Sequence, residues 1–153
     1  MDIYLMRHGE ASYAAPTDPQ RPLTERGIAE SVAMAKHYGD AWHQLDLVLV
    51  SPYLRAQQTW QAIEQALGLK VKVETLEELV PESDPALARD LLLASAEVAG
   101  ARGVLVVAHM PLLGYLLAEL VSGSEPAMFM TSGVAHIRSE QRADLIELRG
   151  PTH

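Results

Sequence analysis

The sequence predicts one α/β domain of three layers, with helices on both faces of a mostly parallel sheet. Three observations carry that expectation. The apolar runs Ile3–Met6, Leu47–Val50 and Val104–Val107 do not alternate, which is the pattern of strands buried on both faces. Amphipathic helical stretches separate them. The resulting order, strand then helix then strand, builds a parallel sheet between two helical layers. The chain has 153 residues, enough for a single domain, 1–153, with a full core.

The elements follow in order. Ile3–Met6 is the first strand, and Gly9 to Pro22 is a loop rich in alanine and proline. A helix opens at Leu23-Thr24-Glu25 with Thr24 as its N-cap. Ile28, Val32 and Ala35 share its inner face, Glu25, Glu30 and Lys36 are solvated, and Gly39 stops it. Leu47–Val50 is the second strand. Ser51-Pro52 then reads as an N-cap followed by a proline at the first helical position. That helix carries Ala56, Trp60, Ile63 and Leu67 on one stripe and stops at Gly68. Val71–Leu76 alternates valine with Lys72 and Glu74, so it is a strand near a sheet edge. Asp84 caps a helix running to about Ala99, with Leu87, Leu91 and Ala94 inside. Val104–Val107 is the fourth strand and Leu112 to Val121 a helix. Ser132–Ile137 and Leu145–Leu148 form a final hairpin around Glu140–Ala143.

Composition narrows the function classes. A net charge of −8 argues against nucleic acid and anionic membranes as partners. The absence of cysteine excludes disulfides and thiolate chemistry and fits a reducing cytoplasm. The N-terminus lacks a basic region and a long apolar run, so no signal peptide is expected. Gly103 to Val121 is nearly all apolar, but Pro111 in its middle makes it a buried strand and helix, not a membrane span.

In an open α/β sheet, ligands sit beyond the carboxyl ends of the strands. The first strand delivers Arg7, His8 and Gly9 there. The second delivers Ser51 and Pro52, then Arg55, and the fourth delivers His109. Arginine forks match phosphate oxygens, and helix N-termini add unpaired N–H groups. These residues together describe a dianion site in an acidic protein. A neutral imidazole can attack phosphorus, and a second can stabilise the transferring oxygens. No Walker loop, HExxH or carboxylate cluster is present, so neither a metal nor a cofactor is expected. Several residues also have plain structural readings. Ser51 and Thr24 read as caps before catalysts, and Arg21 as either a phosphate ligand or a surface cation. Glu10 reads as a backbone-bonding residue beside the pocket, and His37, His43, His136 and His153 as solvated or supporting histidines.

Arg7-His8-Gly9-Glu10 resembles the signature of the histidine phosphatase superfamily, the phosphoglycerate-mutase-like fold. Leu23-Thr24-Glu25-Arg26-Gly27, Ser51-Pro52-Tyr53-Leu54-Arg55-Ala56-Gln57-Gln58-Thr59 and Ala108-His109 follow in the family's order. Within it, Arg21-Pro22-Leu23-Thr24, Glu78-Leu79-Val80-Pro81, His109-Met110-Pro111-Leu112-Leu113-Gly114-Tyr115-Leu116 and Pro126-Ala127-Met128-Phe129 are similar to the short SixA-type phosphohistidine phosphatases. The resemblance implies cleavage of a phosphohistidine on a partner protein, a histidine-containing phosphotransfer domain. It implies His8 as nucleophile, Arg7 and Arg55 as grips on the phosphoryl group, and His109 completing the pocket. Arg21 is a further phosphate-binding candidate, and Glu78 marks where other members place a general acid. The protein is expected to be a cytoplasmic monomer. Two other readings stay open: a small-molecule phosphomonoesterase using the same pocket, and a non-catalytic module that binds phosphorylated proteins.

Overall fold

β1 (Asp2–Arg7) is an interior strand of a single six-stranded sheet in the computed structural model, which describes residues 1–152. His153, expected to be solvated, lies outside the described residues. The chain continues through α1 (Glu25–Trp42), β2 (Leu47–Val50), α2 (Leu54–Leu67) and β3 (Lys72–Thr75). It then forms α3 (Pro85–Ala99), β4 (Gly103–Ala108), α4 (Leu112–Leu120), β5 (Val134–Ser139) and β6 (Ala143–Arg149). Two 3-10 turns, Asp18–Gln20 and Glu77–Leu79, interrupt the loops. The strand order is β3-β2-β4-β1-β5-β6. The first four of these run parallel, while β5 and β6 are antiparallel additions. The sheet is therefore mostly parallel, as expected.

Two apolar layers flank it. Ile3, Leu5, Leu49, Val106 and Ala135 face Leu92, Leu113, Leu116 and Phe129 on the α3–α4 side. Tyr4, Met6, Val48, Val107 and Val134 face Met34, Trp42, Trp60 and Ile63 on the α1–α2 side. The unalternating strands are explained directly: each face of β1, β2 and β4 has a helical layer to meet. β3 and β6 are the edges, and their burial alternates or is lost.

Several local expectations need correction. Thr24 is not one of them: it caps α1 as expected, accepting from the Gly27 N–H. The inner face of α1 is Gly27, Ser31, Met34, Ala35 and Trp42, whereas Ile28 is exposed. Glu30, expected to be solvated, keeps only 12% of its side chain exposed. Gly39 breaks the helix at φ 37°, but a further turn continues to Trp42, which fills the core. In α3 the inner stripe is Ala88, Leu92 and Ala96, one or two residues beyond the expected Leu87, Leu91 and Ala94. The run Leu91-Leu92-Leu93 leaves that phase undefined in the sequence. Gly68 and Gly100 end α2 and α3 in the left-handed region, where glycine is at little cost. Among the described residues, no helix is long and apolar enough to cross a membrane.

Candidate active site

The register of β1 against β4 pairs Met6 with Val107 and Arg7 with Ala108. His8 and His109 therefore leave neighbouring strands at the same level, and their rings lie 5.0 Å apart, centroid to centroid. α2 starts just beyond β2 and brings Arg55 against them from its first turn. Arg7, His8, Arg21, Arg55 and His109 all line one cavity of about 330 Å³. Glu10, Tyr13, Asp18, Pro81, Met110 and Thr131 complete its main walls. A larger polar groove of about 530 Å³ lies at the amino ends of the strands, around Asp2, Asp46, Arg102 and Arg138. None of the strand-end motif residues reaches it.

His8 is 7% exposed and held from several sides. Its backbone N–H donates to Ala108 O, and its carbonyl accepts from Ser132 N. Its ring Nδ1 is 2.7 Å from Gly9 O. A carbonyl can only accept, so in the neutral ring Nδ1 carries the proton and Nε2 carries the lone pair. Arg55 donates from Nε to that Nε2 at 3.3 Å. Gly9 is required here by a close approach. A Cβ on it would stand 2.6 Å from Gly27 O and 2.9 Å from Ser31 Oγ.

Arg7 donates from Nη1 to Phe129 O at 2.8 Å, while its buried Nε has no partner among the described residues. Arg55 also donates to Asp18 O at 2.7 Å and to Asp18 Oδ2 at 3.2 Å. Arg21 is pinned to Ser12 O, Ala11 O and Asp18 Oδ1. His109 shares a 2.7 Å hydrogen bond between Nε2 and Ser51 Oγ, and its buried Nδ1 is unpartnered among the described residues. Such orphan donors and acceptors cost free energy until a ligand or water meets them.

The electrostatics follow from burial and the arginines. Burial, reinforced by Arg55, Arg7 and Arg21, pushes the His8 imidazole down to about 4, although the Gly9 hydrogen bond acts the other way. Burial first, then His8 and Arg55, pushes His109 down as well. Both rings are neutral at pH 7. Partial burial acts to raise Asp18, but hydrogen bonds and charge from Arg21 and Arg55 outweigh it and keep the carboxylate ionised. A stability prediction follows from His8. Its folded value lies below the unfolded one, so the unfolded chain binds more protons between about 6.5 and about 4. The stabilisation is complete above pH 6.5 and is lost as pH falls toward 4, by about 3 kcal/mol for a shift of this size. Urea unfolding across this window should show the loss, and an NMR titration should place the His8 ring midpoint near 4. A midpoint near 6.5 would contradict a desolvated His8.

Residues 3–80 match the model of the histidine phosphatase superfamily, branch 1. Phosphohistidine phosphatase SixA of Escherichia coli strain K12 is 41% identical over 141 residues, covering 92% of this chain and 87% of that protein. The chain belongs to the histidine phosphatase superfamily. A SixA homolog from Haemophilus influenzae is 34% identical over 90% of this chain and 87% of that protein. Among solved structures, the protein histidine phosphatase SixA complexed with tungstate matches with a TM-score of 0.92 and 38% identity, covering 99% of this chain and 97% of that one. This histidine phosphatase is thus a SixA-type member in sequence and in fold.

The structure brings Arg7, His8, Arg21, Arg55 and His109 into the lining of one cavity, and Glu78 is not part of that lining. Glu78 sits in the 3-10 turn before Pro81. The lining carboxylates are Glu10, which accepts from Thr24 Oγ1 at 2.9 Å, and Asp18. Ser51 is not the N-cap of α2, which is Tyr53; its hydroxyl accepts from Tyr53 N and also bonds His109. The sequence reading also passed over Asp18 and gave no role to Thr59. Thr59 accepts from Gly9 N and donates to Arg55 O, tying the loop after β1 to α2. Its signal was its place one turn after Arg55 in the motif. Asp18 gave none, because Asp-Pro in a loop reads as a turn.

Proposed function

We propose that this histidine phosphatase is a phosphohistidine phosphatase acting on a phosphohistidine borne by a partner protein, a histidine-containing phosphotransfer domain. The observation that carries the mechanism is His8, whose proton is fixed on Nδ1 by Gly9 O so that an unprotonated Nε2 sits among three arginines. The names of the SixA relatives support the substrate.

Nε2 of His8 attacks phosphorus in line with the departing ring nitrogen. The P–N bond of the substrate breaks as a P–N bond to His8 forms. With its distal nitrogen protonated, the substrate imidazole leaves neutral. Water then attacks phospho-His8, releasing phosphate and restoring His8. Arg7 and Arg55, with Arg21, neutralise the phosphoryl oxygens, and His109 closes the pocket beside His8.

The lining favours P–N over ester cleavage. An alkoxide needs a positioned proton donor, whereas a protonated imidazole does not. Of the lining carboxylates, Asp18 is held ionised by two arginines and Glu10 is engaged by Thr24 Oγ1, while Glu78 lies outside the lining. The test offers the purified protein a phosphohistidine-bearing phosphotransfer domain and, in parallel, a panel of phosphate esters. Fast release from phosphohistidine with slow ester hydrolysis is expected. The reverse ranking would overturn the substrate assignment in favour of a small-molecule phosphomonoesterase. Binding without any release would leave a phosphoprotein-binding module.

A further inference from the structure

Tyr13 lies in the loop between β1 and α1 and is 85% exposed, an unusual state for a large aromatic ring. It lines the catalytic cavity and also a neighbouring recess of about 240 Å³ with Ala15, Pro16 and Thr17. It therefore stands as a wall between the phosphoryl pocket and an outer shelf. The Arg21 guanidinium covers one face of the ring, 3.9 Å from its centroid. Arg21 is itself fixed by Ser12 O, Ala11 O and Asp18. The ring is thus braced from below, and with 85% of the residue in solvent its other face is open.

In-line displacement decides what meets that face. With phosphorus against His8 Nε2, the leaving nitrogen lies on the far side of phosphorus. The leaving group is therefore directed away from buried His8, toward the mouth of the cavity. If the substrate is a phosphohistidine, as proposed above, that group is a flat imidazole. Arg21 beneath the phenol ring draws electron density from it and already uses its attraction for cations. The open face accordingly takes the phosphoimidazole ring by flat stacking and not by its charge, since the ring is planar with or without the proton that departure requires. Aromatic pairs of this kind contribute beyond the area they bury.

We infer that Tyr13 is a specificity-determining residue, the platform on which the imidazole of the phosphohistidine substrate stacks while its phosphoryl group sits among Arg7, Arg21 and Arg55. This rests on the phosphohistidine reading and adds the residue that recognises the ring. A structural role alone, bracing Arg21, would affect every phosphoryl donor alike.

The experiment compares two P–N donors, phosphoimidazole with its ring and phosphoramidate without one, in wild type, Tyr13→Ala and Tyr13→Phe. The readout is the ratio of kcat/KM for phosphoimidazole to kcat/KM for phosphoramidate. Stacking predicts that Tyr13→Ala lowers the ratio roughly threefold to tenfold, mainly through KM, and that Tyr13→Phe restores it. An unmoved ratio in Tyr13→Ala, with wild type active on both donors, overturns the stacking role and leaves the phosphohistidine reading standing. A ratio that falls equally in Tyr13→Phe overturns it too, because the hydroxyl and not the ring would be responsible. A wild type inactive on both donors sinks the phosphohistidine reading, and the platform with it.

Discussion

Replacing His8 by alanine is expected to lower phosphate release by roughly 10⁴-fold or more, since loss of a covalent nucleophile removes the reaction path and not merely one contact. The fold should survive. His8 contributes a buried neutral ring hydrogen-bonded to Gly9 O and to Arg55 Nε, while its main-chain bonds to Ala108 and Ser132 do not depend on the side chain. Far-UV circular dichroism separates the two effects. Labelled phosphate should be trapped on wild type in an acid-labile, base-stable form and be absent from the variant. Turnover by a folded His8→Ala protein near the wild-type rate would rule out the phospho-His8 path.

Arg55→Lys should cost on the order of 10²- to 10³-fold in kcat, the usual loss when a fixed donor to the transferring group is removed. Arg55 is 4% exposed and uses all three nitrogens of its guanidinium, on His8 Nε2, Asp18 O and Asp18 Oδ2. A lysine ammonium cannot reproduce a planar fork that spans these positions. It also loses the donor that orients the His8 lone pair. Steady-state kinetics with inorganic phosphate as a competitive inhibitor would divide the loss between rate and anion affinity. A kcat within a factor of about five would show that charge, and not the fork, is what the site uses.

The strand-end residues were legible because topology converts short sequence runs into neighbours. Arg7-His8, Ser51 with Arg55, and His109 each follow an unalternating apolar run, and the β1–β4 register brings the two histidines side by side. Helix faces were less legible. Ile28 and Leu87 are apolar and helical yet exposed, while Gly27, Ser31 and Ala88 are buried in their place. Close backbone packing selects small residues there, and hydrophobicity alone does not mark them. A Cβ at Gly27 would collide with the backbone of Glu10. Asp18 and Tyr13 were missed for a different reason. Each acts through Arg21 or Arg55 across an irregular loop, where no periodicity relates partners to spacing. Glu78 lies three residues before Pro81, which lines the cavity, but is not itself among the lining residues.

The Asp18 carboxylate has a consequence for the end of the catalytic cycle. It bridges Arg55 and Arg21 at the wall of the cavity. One of the three converging guanidinium charges is therefore offset by a carboxylate tethered at the cavity wall. Inorganic phosphate leaving the cavity exchanges places with a tethered counter-ion instead of abandoning bare charge. Its escape is expected to be eased to that extent, with weaker product inhibition than three unopposed arginines would impose.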